Sequence, residues 1–166
     1  MDTISGIPAH PLLVHIPVVL VPLAALIVIA IVIRPALMRS FGIVVAVLTG
    51  VGFLGALFAA STGEALEDQR REAGETIAGT LKDHVEMGDT AQWIVGVFFL
   101  LTLAWVLFAW WRRRAGDDRA AAVTRSPKQI ALVLAVLAVL SGAAATYSVT
   151  VTGHSGAKSV WEKSEP

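Results

Sequence analysis

The chain has no cysteine, one tyrosine and little charge: only 16% of its 166 residues are Asp, Glu, Lys or Arg. The missing cysteine excludes disulfides, thiolate zinc sites, iron–sulfur ligation by Cys and covalent haem attachment through Cys-x-x-Cys-His. A soluble domain is near a quarter charged, so the scarcity of charge points away from water. Basic and acidic residues balance at a net charge of zero, which argues against a nucleic-acid partner. No nucleophile-elbow pattern or paired-acid motif is present, so nothing supports hydrolytic catalysis. A redox or accessory subunit is the expectation rather than a stand-alone enzyme. Polar groups through the middle of the apolar runs are also too few for a solute channel.

What the chain has is apolar sequence: 55% hydrophobic residues and a mean hydropathy of +0.70. The charges are clustered, which leaves charge-free runs at residues 11–33, 41–63, 90–111 and 129–153. About 20 apolar residues cross a bilayer as a helix. The expected fold is therefore all-α: a polytopic membrane protein, one four-transmembrane-helix bundle over residues 1–166. The spans are about 11–33, 41–62, 90–111 and 129–152, with a polar segment at 64–89. Residues 1–6 carry an acid and no Lys or Arg, and no Ala-x-Ala-like cleavage site follows. The first span is therefore expected to be retained rather than removed as a signal peptide.

The loops set the orientation. Loops 34–40 and 112–128 together hold eight Lys or Arg and two acids; the other side holds five basic and eleven acidic residues. Positive charge stays in the cytoplasm. Both termini and segment 64–89 are thus expected outside, in a multi-pass protein of the cell membrane with a lipid bilayer around it. Trp110-Trp111-Arg112-Arg113-Arg114 reads as an interfacial belt on the cytoplasmic side.

All four histidines fall on the outer side: His10 and His15 at the mouth of span 1, His84 before span 3, and His154 after span 4. His15 is the one ionisable residue within a span, and such a residue is by default a functional-site hypothesis. The expectation is that His15→Ala disturbs function more than His10→Ala. Pro11 suits a first helical turn, while Pro17 and Pro22 remove backbone donors inside the helix and can kink it. Span 2 carries Gly50, Gly52, Gly55, Ala56, Ala59 and Ala60, with Gly52, Ala56 and Ala60 spaced as a small-xxx-small ladder. This small-residue ladder suits close helix packing, and its sharper reading is room for a flat cofactor. Gly63 is expected to cap the helix end. Gly88, one turn past His84, would let a haem plane approach the backbone. Thr62-Gly63-Glu64 and Thr152-Gly153-His154 echo one another at the ends of spans 2 and 4, as a twofold repeat would.

Four motifs occur in this order: Ala9-His10-Pro11-Leu12-Leu13-Val14-His15-Ile16-Pro17; Thr62-Gly63; His84-Val85-Glu86-Met87-Gly88-Asp89; and Thr152-Gly153-His154-Ser155-Gly156 with Val160-Trp161. Together they resemble the bacterial four-helix integral membrane proteins grouped as domain of unknown function 2231. The resemblance covers nearly the whole chain, and Ala157 departs from it where a second glycine is expected. It implies the fold and carries no settled activity. Relatives joined to Rieske-type iron–sulfur domains imply a redox setting.

The histidines leave three readings open. One is b-type haem, held axially by His15 and His84 across a bundle in which helices 1 and 3 are diagonal. His10 and His154 would then ligate a second haem or, with Lys158, bond its propionates, and a membrane redox partner or a homo-oligomer would follow. The second is an outward zinc or copper site drawn from His10, His15, His84, His154, Glu64 and Glu86, with Met87 as a soft ligand. The third is a structural accessory subunit with no cofactor.

Overall fold

The structure, a computed structural model, describes residues 3–4, 7–74, 79–116, 122–124 and 126–161. A two-residue antiparallel pairing of β1 (Thr3–Ile4) with β2 (Ile7–Pro8) leads into α1 (Ala9–Leu13). Helix 1 breaks at Val14 and resumes as α2 (His15–Ile33). Pro17 has no N–H to give the carbonyl of Leu13, four residues back, and its ring crowds that carbonyl. The turn at Val14 follows from that.

Pro35 drives Arg34 out of the helical region (φ −126°, ψ 84°). A 3₁₀ turn (Pro35–Leu37) then reverses the chain into α3 (Met38–Glu72). α3 stops at Gly74 (φ 81°), and Gly79 (φ 58°) opens α4 (Thr80–Ala115). Gly116 (φ 79°) ends α4, and Pro127 starts α5 (Pro127–Trp161). Positive φ suits glycine alone among common residues, so these glycines set the helix ends. Gly63 does not cap α3, contrary to expectation: the helix runs nine residues past it to Glu72. Gly153 likewise lies inside α5.

Among the described residues, four helices are long and apolar enough to cross a membrane, and the fold is an all-α membrane bundle. α3 has 35 residues and α4 has 36, each roughly 50 Å long at ~1.5 Å per residue. Hydrocarbon is only about 30 Å thick, so both project beyond it. The projecting parts carry the polar residues of 64–72 and 80–89.

Each helix packs chiefly on its two neighbours, so α2 and α4 are diagonal, as are α3 and α5. The buried positions step by three and four residues. On α2 they are Pro17, Val21, Ala24, Val28 and Ile31. On α4 they are Ala91, Val95, Phe98, Thr102 and Trp105. α3 contributes Gly42, Val45, Thr49, Gly52, Ala56 and Ala59, and α5 contributes Ala135, Ala138, Gly142, Ala145 and Val149. This spacing is the heptad seam of a left-handed bundle. The opposite faces present Leu26, Ile43, Leu100 and Leu132 outward, which suits lipid and not water.

The glycines of α3 serve this packing. A Cβ at Gly55 would stand 2.5 Å from Ile16 Cγ2, one at Gly52 would stand 3.1 Å from Val21 Cγ2, and one at Gly50 would stand 3.2 Å from Phe99 Cε2. Side chains of neighbouring helices fill these positions, so they do not leave a slot for a flat cofactor.

Candidate two-histidine site

At one end of the bundle the four seams run out onto two imidazoles. The α2 seam, carried back one heptad from Pro17, arrives at His10 on α1. The α4 seam, carried back one heptad from Ala91, arrives at His84. Both rings are part-buried. They meet across the diagonal of the bundle, with ring centroids 5.9 Å apart and planes inclined at 76°.

Each ring is tied to the helix beside it. His10 Nδ1 lies 2.8 Å from the carbonyl oxygen of Ala59. His84 Nδ1 lies 3.1 Å from the carbonyl of Thr152 and 3.1 Å from Ser155 Oγ. A carbonyl only accepts, so Nδ1–H is the donor in both rings. In the neutral ring that leaves Nε2 with its lone pair free to bind a metal, and an Nδ1–H···O=C bond is the usual outer support of a metal-binding histidine.

Glycine makes room for each ring. A Cβ at Gly63 would stand 3.2 Å from His10 Cε1, and one at Gly156 would stand 2.8 Å from His84 Cε1. Gly63 and Gly156 lie four residues beyond Ala59 and Thr152, so each ring spans one helical turn between its carbonyl and its glycine. The small buried residues nearby, Ala9, Ala59 and Ser155, keep the two helix pairs close at this level.

The other expected site residues lie elsewhere. His15 does not face His84. It is exposed, and its Nδ1 bonds the carbonyl of Pro11 at 2.7 Å. Two residues short of the buried Pro17, it sits on the outward face of helix 1 with Val18 and Val19. His154 and Glu64 are exposed as well. Glu86 pairs with Lys82 at 3.7 Å one turn away. With Met87 it lines a groove of about 550 Å³ between α4 and α5. Among the described residues, no three of the His, Asp and Glu side chains converge as metal ligands. Gly88 faces open space. The opposite end of the bundle carries the arginines, with Arg114 stacked 4.2 Å over the Trp110 ring.

The fold and this paired-histidine end define an integral membrane bundle of four helices with its polar chemistry gathered at one mouth. The chain belongs to the DUF2231 family, described as predicted membrane proteins, whose model matches residues 6–164. Comparison with curated proteins and with solved structures gives no match.

Proposed function

We propose that the protein is a membrane electron-transfer subunit that holds a b-type haem between His10 and His84, at the end of the bundle that the charge bias places outside the cytoplasm. One observation carries this reading: two imidazoles, each anchored through Nδ1, meet from diagonal helices, and no third ligand joins them among the described residues. A low-spin b-type haem would take both imidazoles as its protein ligands. A haem held there supplies a one-electron couple. The protein's share is to fix both rings, set their basicity through the carbonyl bonds and exclude water with small packed residues.

The contact of the two rings favours one other occupant, a cuprous ion bound by two imidazoles. Copper accepts imidazole ligands, and a bare ion needs less parting of the helices than a porphyrin.

The test is the absorption spectrum of detergent-purified protein from haem-supplied cells, oxidised and then reduced with dithionite. A sharp reduced α-band is expected. It should be lost in His10→Ala and His84→Ala and kept in His15→Ala and His154→Ala. A featureless spectrum overturns the haem reading, and elemental analysis of the same sample then tests copper.

A further inference from the structure

The two halves of the bundle repeat each other position by position. The buried residues of helix 1 recur in helix 3 at a constant offset of 74: Pro17 with Ala91, Val21 with Val95, Ala24 with Phe98, Val28 with Thr102, and Ile31 with Trp105. His10 and His84 keep the same offset. The buried residues of α3 recur in α5 at an offset of 93: Gly42 with Ala135, Val45 with Ala138, Thr49 with Gly142, Gly52 with Ala145, and Ala56 with Val149. The same offset then pairs Ala59 with Thr152, Thr62 with Ser155 and Gly63 with Gly156.

These last three pairs share roles as well as places. Ala59 and Thr152 supply the carbonyls that take the two Nδ1–H groups. Gly63 and Gly156 supply the clearance for the rings. Thr62 Oγ1 shares its hydrogen between the Phe58 carbonyl at 2.8 Å and the Ala59 carbonyl at 3.1 Å, and Ser155 Oγ donates to the Thr152 carbonyl at 2.9 Å. The true register is therefore Thr62-Gly63 on Ser155-Gly156. The echo visible in the sequence, Thr62-Gly63 on Thr152-Gly153, is three residues out.

We infer that the chain is two copies of one helix-pair unit whose half-sites meet on a pseudo-twofold axis, and that Thr62 and Ser155 are its matched positioning residues. Each hydroxyl sits on the carbonyl that anchors its own imidazole, so it limits where that carbonyl lone pair points and hence which way the ring turns. Ser155 does more than Thr62. Its Oγ also accepts from the His84 ring, sharing Nδ1–H with the Thr152 carbonyl. The arrangement belongs to the chain's own residues and holds whichever centre the pair takes.

Nitrogen NMR of the full chain, with ¹⁵N in its histidine rings and dithionite present, tests this. His10→Ala and His84→Ala assign the two signals. Both rings are expected as Nδ1–H tautomers. Thr62→Val is expected to shift the His10 nitrogens alone. Ser155→Ala is expected to shift the His84 nitrogens alone, and by more. Thr62→Ser and Ser155→Thr should restore the wild-type positions. In each variant the unaltered ring reports that the bundle is folded. Nε2–H tautomers, or variants that move both rings together or neither, overturn the inference. A sample with no haem band fails the electron-transfer reading and leaves this result standing, because the tautomers are read from nitrogen alone.

Discussion

Thr102 and Val28 occupy the same place in the two halves of the molecule, and only one of them suits it. Thr102 is fully buried, and its hydroxyl has no hydrogen-bond partner among the described residues. Leaving a buried polar group unmatched costs about 1–3 kcal/mol, and valine has nearly the same shape. Thr102→Val is therefore expected to stabilise the protein by about 1 kcal/mol, read as a higher midpoint in detergent unfolding. Thr49→Val should not share the gain, since Thr49 Oγ1 already donates to the Val45 carbonyl at 2.9 Å. A lower midpoint for Thr102→Val would mean that its hydroxyl is satisfied. The same scale shows why the histidine pair was only half legible. His10 and His84 both read as site residues from the sequence, but His15 takes His10's place as the partner of His84 because it is the one ionisable residue within a charge-free run. Depth along the chain says nothing about which way a side chain faces. Inside a membrane, lipid and protein core are equally apolar, so a helix such as 15–33 hides its buried stripe. Only Pro17, Val21, Ala24 and Val28, known to be buried, trace the seam back to His10.

At the scale of the helix, glycines that look alike in sequence do opposite things. Gly55 sits where α3 touches helix 1 just past its break, and a Cβ there would lie 2.5 Å from Ile16 Cγ2 and 3.2 Å from Pro17 Cδ. Neither neighbour can retreat easily: Pro17 is buried, and its ring fixes the local backbone. Gly55→Ala is expected to destabilise by about 1–3 kcal/mol through overpacking. Gly88 lies in the interior of α4 and meets nothing within 4 Å. Gly88→Ala should stabilise by roughly 0.5–1 kcal/mol, the ordinary helix preference for alanine. Unfolding both variants in a graded detergent mixture checks the pair, and equal effects would contradict the close approach of α3 to helix 1. The four helices themselves were plain from the charge-free runs, because hydrocarbon demands such runs. The helix ends were less plain. Gly63 resembles a cap in sequence, yet the positive φ that ends α3 belongs to Gly74. The glycine at 63 serves the His10 ring instead, a contact 53 residues away that no local pattern reveals.

Across the whole molecule, symmetry and asymmetry do different work. The repeated seams make the bundle two similar halves, and this was hidden in the sequence because few of the matched core positions carry the same residue. What repeats is burial, with bulk traded across the axis: Ala24 in one half stands where Phe98 stands in the other. Charge breaks the likeness between the two ends. One mouth carries His10, His84 and the acids of 64–72 and 83–89, while the other carries Arg34, Arg39, Arg112, Arg113 and Arg114. By the positive-inside rule the proposed site is expected to face outward. The lack of cysteine makes this directly testable, since any introduced thiol is unique. Asp68 and Ser40 are both exposed, at the histidine and arginine ends respectively. A membrane-impermeant maleimide is expected to label Asp68→Cys in intact cells and Ser40→Cys only after permeabilisation. Labelling in the reverse order would put the two imidazoles on the cytoplasmic side. A haem held by that pair, as proposed, would then have to exchange electrons with cytoplasmic donors rather than with carriers outside the membrane.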